Sequence, residues 1–188
     1  MATTIRRAVR DDAAALHGLA ARTFGLACPP GTAEADIDAF VRGHLSQQCF
    51  ESYLGDEDRI VLLAEVDGRP MGYAMLVAGP IGDPQVRAVV ADHTAVELSK
   101  FYVAAESHGS GVAAALMAAT LQSAAATGAR SCWLGVNQQN ARAARFYARH
   151  GFEVIGVKRF LVGEQWHDDH VRKRLLRDGA SGPGAGSA

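Results

Sequence analysis

Residues 97–113, ELSKFYVAAESHGSGVA, and 134–152, LGVNQQNARAARFYARHGF, decide how this chain reads. In the first, an apolar strand over Ala95 to Val103 runs into a polar turn. The turn contains His108-Gly109-Ser110-Gly111-Val112-Ala113, and an alanine-rich helix follows to about Thr127, where Gly128 ends it. Amides at a helix N-terminus are unpaired donors and the helix dipole favours negative charge there. Glycine lets an anion approach them, so the segment reads as a main-chain phosphate cradle or, equally, as a tight strand-helix turn. Glu106 is a carboxylate beside this turn and fits a cradle only if it points away.

In the second segment Ser131 to Val136 is a buried strand and Asn140 caps a helix to His150, with Gly151 past its end. Asn140 and Tyr147 are seven apart and share a helix face, while Ala143 and Phe146 lie on an adjacent one. Each residue alone is explained by capping or packing.

Outward from this centre, Thr4 to Val9 reads as a first strand. Asp11 or Asp12 is placed to cap a helix to about Thr23, with Ala15, Leu16, Leu19 and Ala20 inward. Cys28-Pro29-Pro30-Gly31 is a stop, and Thr32 is placed to cap a helix carrying Ile37, Phe40, Val41 and Leu45. A polar stretch, Glu51 to Arg59, leads to a hairpin of Ile60 to Val66 and Met71 to Ala78 about Asp67-Gly68. Gly79 to His93 is a long connection, and Phe152 to Phe160 and Asp168 to Leu175 are the last strands. The order is β-α-α-β-β-β-α-β-α-β-β. It predicts one mixed α/β sheet with helices on both faces, and the strand-helix-strand unit in the middle is a parallel crossover.

Composition bounds the function. Of 188 residues, 48% are hydrophobic and 21% charged, which describes a globular chain rather than a disordered one. Nineteen basic and twenty acidic side chains give a net charge of −1, so electrostatics gives no support to nucleic acid or an anionic membrane as partner. Met1 to Val9 lacks the apolar core of a secretory signal. Cys28, Cys49 and Cys132 form neither a disulfide framework nor a CxxC metal site, and a cytoplasmic location is the simplest expectation. The tail, residues 178–188, is small, polar and glycine-rich and is expected to be disordered, leaving a single domain over residues 1–177.

Gly109-Ser110-Gly111-Val112-Ala113-Ala114 also fits the GxGxxA dinucleotide fingerprint. The turn after Val103 is too long for it, and the next strand ends at Gly135-Val136-Asn137 without the carboxylate that holds a ribose.

Together the two segments resemble the GNAT superfamily of acetyl-CoA-dependent N-acetyltransferases, best over Ala95 to Leu175. The family's cradle starts with Arg or Gln, where this chain has His108. The strings WLGVNQQNARAARFYARHGF and FLVGEQWHDDHV look most like the bacterial polyamine N-acetyltransferase branch, with His170 where tyrosine is common. The resemblance implies a mostly antiparallel twisted α/β (α+β) sheet of six to seven strands with about four helices and a splayed parallel strand pair. It implies acetyl-CoA as cosubstrate, no metal, a small-molecule amine acceptor such as a polyamine, and a homodimer as a common assembly. By the resemblance, Phe101, Tyr102 and Val103 pair with the pantetheine arm. Residues His108, Gly109, Ser110, Gly111, Val112 and Ala113 hold the pyrophosphate, and Asn137 and Asn140 line the cofactor arm. Tyr147 lies near the sulfur as general acid, and Glu97 is the first choice for general base. Asp168 and Asp169 are alternative bases or attract a cationic amine, and Arg142 and Arg145 are candidates for the ribose phosphate. His167 and His170 are spaced HxxH, but three residues along a strand face opposite ways. Cys132 reads as a buried small apolar residue rather than a nucleophile. A non-catalytic acyl-CoA sensor on the same scaffold is the alternative of a different class.

Overall fold

The computed structural model describes residues 2–162 and 164–176; the expected disorder of residues 178–188 lies outside the described residues. The elements run β1 (Thr3–Arg7), α1 (Ala13–Ala27), α2 (Glu34–His44), α3 (Gln47–Leu54), β2 (Arg59–Val66), β3 (Arg69–Val77) and α4 (Pro84–Val90). They continue with β4 (Val96–Val103), α5 (Val112–Ala126), β5 (Ser131–Asn137), α6 (Ala141–Arg149), β6 (Glu153–Val162) and β7 (Gln165–Leu175). The seven strands form one sheet in the order β1-β2-β3-β4-β5-β7-β6. Every neighbouring pair is antiparallel except β4 and β5. This is the mixed, mostly antiparallel sheet with one parallel pair that the sequence implies.

Both faces of the central strands are covered, which is why β2 and β3 are apolar without alternation. Leu62, Ala64, Ala74 and Leu76 point into a core with α5 and α6, built around Leu116, Met117, Tyr147 and Phe152. Val61, Leu63, Tyr73 and Met75 point the other way, against Leu16, Leu19, Phe24 and Phe50 of α1 and α3. A third cluster packs Val86 and Val90 of α4 on Ala95, Trp133 and Val171.

Several local expectations are corrected. The segment containing Glu51 to Arg59 begins as helix α3, capped by the Ser46 hydroxyl accepting from the Cys49 amide at 3.2 Å. The Gly79 to His93 connection contains α4, where Asp83 accepts from the amides of Gln85 and Val86 and Pro84 opens the first turn. Thr32 does not cap α2: its hydroxyl donates to the Pro29 carbonyl at 2.8 Å and Ala33 holds the cap position. Asp12 holds the N-cap position of α1, but its side chain makes no cap bond there and pairs with Arg6 at 2.7 Å. The first helix therefore starts with Ala13, which is buried where Ala15 was expected, and runs to Ala27 rather than Thr23.

Two irregularities in β4 position the site. Met75 pairs with Lys100 and Leu76 with Leu98, so Ser99 is an extra residue and β4 bulges there. On its other side β4 pairs with β5 only at Val96↔Cys132 and Glu97↔Trp133. β5 meanwhile stays in register with β7 as far as Asn137↔Asp169. β4 and β5 therefore diverge from Leu98 onward and leave a groove through the sheet.

Candidate active site

The groove holds two connected hollows that share Ala27, Phe101, Tyr102, Asn140, Ala143 and Tyr147. The wider one, about 660 Å³, opens at the start of α5 and carries Val103, His108, Gly109, Gly111, Ala113 and Ala114 on its wall. The narrower one, about 270 Å³, lies past the β4 bulge and carries Glu97, Lys100, Gly135, Asn137, Lys158, His167 and Asp169.

The turn before α5 is built to expose amides. Gly109 and Gly111 have φ of +83° and +89°, a region that side chains rarely adopt. The His108 and Ser110 amides are engaged within the turn, donating to the carbonyls of Ala105 (3.1 Å) and Ser107 (3.2 Å). The Ala115 amide donates to Gly111 at 3.0 Å as the first helical bond. That leaves Val112, Ala113 and Ala114 as the first amides of a 15-residue helix, without intrahelical acceptors. The His108 ring is held by the Val103 carbonyl at 3.2 Å, which ties the end of β4 to the turn. Glu106 turns toward α1, with Arg22 at 3.9 Å, so its carboxylate is not on the groove wall. Val112 buries its side chain in the core and presents only main chain.

Asn140 caps α6, its Oδ1 accepting from the Ala143 amide at 2.9 Å, and lines both hollows. Its amide nitrogen remains to donate. Asn137 lines only the narrower hollow, and its Oδ1 accepts from Gln139 at 2.9 Å. Tyr147 sits where the hollows meet, 9% exposed, with its ring edge-on to Phe101, Phe146 and Phe152. Burial pushes its hydroxyl well above the ordinary tyrosine range, so it is a neutral donor at physiological pH. Arg142 lines the wider hollow and Arg145 does not; Arg149, seven residues on along the same face of α6, does.

The narrower hollow has a charged floor and an apolar roof. Glu97 is desolvated, which raises its pKa against the pull of Lys158 and Lys100. Burial likewise lifts Asp169 to about 6, opposed by Lys158 and His167. It lowers Lys100 to about 8, opposed by Glu97. Phe24 and Phe40, stacked at 4.4 Å between ring centres, line the roof with Leu45 and Cys28. Asp168 faces away, being exposed and opposite Arg159 on β6. His170 is three residues from His167 along β7 and does not line the hollow. Cys132 is fully buried in the core, its thiol pushed up to about 12.

Sequence reasoning missed Lys100, Lys158, Phe24 and Phe40. They reach the hollow from four elements, and their spacing along the chain carries no local pattern. Arg149 had a signal in its i, i+7 relation to Arg142.

The Acetyltransferase (GNAT) family profile matches residues 27–152. An uncharacterised N-acetyltransferase of Mycobacterium tuberculosis is 47% identical over 165 residues, covering 88% of this chain and 98% of the relative. The crystal structure of PaiA N-acetyltransferase from Thermoplasma acidophilum in complex with coenzyme A aligns with a TM-score of 0.76 at 20% identity, covering 93% of this chain and 99% of that one. That of YncA, a putative acetyltransferase from Salmonella typhimurium with acetyl-CoA, aligns with a TM-score of 0.64 at 20% identity, covering 96% and 98%. With a profile match over most of its length and a close full-length relative, the chain belongs to the acetyltransferase (GNAT) family.

Proposed function

We propose that this single domain, residues 1–177, moves the acetyl group of acetyl-CoA to the primary amine of a small molecule by direct attack. The observation that carries the reading is the groove opened where β4·β5 pairing stops at Glu97↔Trp133. It has unpaired helix amides at one end, Tyr147 at its waist and the carboxylates of half-buried Glu97 and buried Asp169 at the other end.

The residues present fit coenzyme A. The amides of Gly109, Gly111, Val112, Ala113 and Ala114 suit its diphosphate. Past Glu97, β4 has no β5 ladder, so the main chain of Phe101, Tyr102 and Val103 is available to an extended amide-bearing arm. Arg142 and Arg149 suit a phosphate at the solvent side. The cosubstrate supplies an activated acetyl thioester.

The chain's own residues handle protons and orientation. A free alkyl amine is protonated at neutral pH and must lose a proton before attack. Glu97 and Asp169 both line the hollow with raised pKa values, which makes each a stronger base than an exposed carboxylate. As the N–C bond forms and the C–S bond breaks, the amine proton goes to a carboxylate, directly or through water. The Tyr147 hydroxyl donates to the leaving sulfur. A thiol has a lower ordinary pKa than tyrosine, and burial raises Tyr147 further, so stabilising the thiolate by hydrogen bonding costs less than surrendering the proton.

A polyamine is the narrower acceptor that the C-terminal strings suggest. Glu97 and Asp169 support it, and Lys100 and Lys158 in the same hollow oppose it. A homodimer would find exposed apolar side chains at Val157, Leu161 and Trp166. The test is release of free thiol from acetyl-CoA across a panel of amines, with coenzyme A binding measured in parallel. Amine-dependent release supports the transferase; tight binding with no release for any amine supports a sensor.

A further inference from the structure

The narrower hollow contains a buried carboxylate, Asp169, and a half-buried ammonium, Lys100, that are not paired with each other. Asp169 is 7% exposed, and its Oδ1 has no hydrogen-bond partner among the described residues. The Nε2 of His167, two residues earlier on the same face of β7, is also buried without a partner. A buried carboxylate oxygen left unsatisfied costs free energy unless a ligand donor completes it. From the opposite wall comes Lys100 of β4, whose ammonium lies over the Tyr53 ring at 5.3 Å. Lys100 closes no ion pair among the described residues. Its electrostatic neighbours are Glu97, Arg59 and Cys49, whereas those of Asp169 are Lys158, His167 and Asp168.

We infer that this hollow recognises a zwitterionic acceptor, an α-amino acid or close analogue with an apolar side chain. Its amine is held at Asp169, its carboxylate at Lys100 and its side chain under Phe24 and Phe40. This rests on the transferase reading above and names its substrate class. A polycation would place positive charge beside Lys100 and Lys158 in a hollow of about 270 Å³. A simple amine would leave the half-buried Lys100 ammonium without an anionic partner. A zwitterion brings a donor to the unsatisfied Asp169 oxygen and an anion to Lys100, and the stacked rings of the roof favour an apolar body over a hydrophilic one.

The test uses the full chain with matched pairs: L-phenylalanine against phenethylamine, L-leucine against isopentylamine, and spermidine. Two readouts are taken. One is thiol release from acetyl-CoA. The other is acceptor binding to the protein saturated with coenzyme A, which needs no turnover. The amino acid is expected to exceed its decarboxylated partner by about tenfold or more in both kcat/KM and affinity. Lys100→Met is expected to bring that ratio close to one, with folding checked by coenzyme A binding. The panel on the unaltered chain decides the matter if the variant does not fold. Equal or better use of phenethylamine or spermidine, or a Lys100→Met protein that keeps the preference, overturns the proposal. Selective zwitterion binding without thiol release from any amine leaves the subsite standing and removes the transfer reading. Thiol release without discrimination does the reverse.

Discussion

Gly135 of β5 and Lys158 of β6 compete for one space: a Cβ on Gly135 would fall on the Cε of Lys158 and lie 3.4 Å from Asp169 Oδ2. The missing side chain lets the lysine stem reach across β7 onto β5, to the Trp133 ring at 5.5 Å. Gly135→Ala is expected to push the flexible end of Lys158 aside rather than break the sheet. Stability should fall by no more than about 1 kcal/mol, with acceptor KM raised several-fold and acetyl-CoA affinity unchanged. Thermal melts and steady-state kinetics on both substrates check this. Loss of cofactor affinity would mean that the two hollows are not separable.

Tyr147→Phe removes the donor at the waist of the groove and keeps the ring that packs on Phe101 and Phe152. Turnover is expected to fall about 10- to 100-fold, with acetyl-CoA affinity within about threefold of the original. Unchanged turnover would remove Tyr147 from the reaction.

Gly111 stands at φ +89° as the residue before α5. Gly111→Asp adds a side chain where the backbone is left-handed and a negative charge where the diphosphate would lie. Acetyl-CoA affinity is expected to fall at least about tenfold, and stability by roughly 1–2 kcal/mol. Calorimetric titration with coenzyme A measures the first and denaturant unfolding the second.

Asp169 gives a pH dependence of definite sign. Its folded pKa of about 6 lies above the ordinary carboxylate value because of burial, so it accepts a proton more readily folded than unfolded. Stability relative to an uncharged side chain is thus present in acid and lost as pH rises through 6. Asp169→Asn should raise the melting temperature at pH 8 more than at pH 5. In catalysis the sign reverses: kcat/KM should fall as pH drops through about 6, and Asp169→Asn should abolish that limb. Glu97, Lys100, Lys158 and His167 also face the hollow, so persistence of the same acid limb in the variant would pass the role to Glu97 or His167.

The legible part of this protein was the part held in contiguous sequence. The strand-turn-helix of residues 97–113 and the capped helix ending in Gly151-Phe152 carry their geometry in glycines, a cap and an i, i+7 pair. The parallel crossover between β4 and β5 followed from them. Helix α3 escaped because eight residues, Gln47–Leu54, hold little more than two turns of pattern and only Phe50 is fully buried. Helix α4 is a seven-residue turn set by Asp83 and Pro84 inside a segment that reads as loop. The charged hollow was the least legible. Its floor is assembled from β4, β6 and β7 and its roof from α1 and α2, so Lys100 and Lys158 stand out only once strand divergence brings them to one chamber.

On the proposed function, the divergence of β4 from β5 makes a coenzyme A groove ending on the amides that open α5. The decisive experiment is a crystal structure with coenzyme A bound. Diphosphate oxygens are expected within about 3.2 Å of the amides of Gly109, Gly111, Val112 and Ala113, with the sulfur beside the Tyr147 hydroxyl. A diphosphate bound elsewhere, with those amides facing solvent and the β4–β5 gap empty, would contradict it.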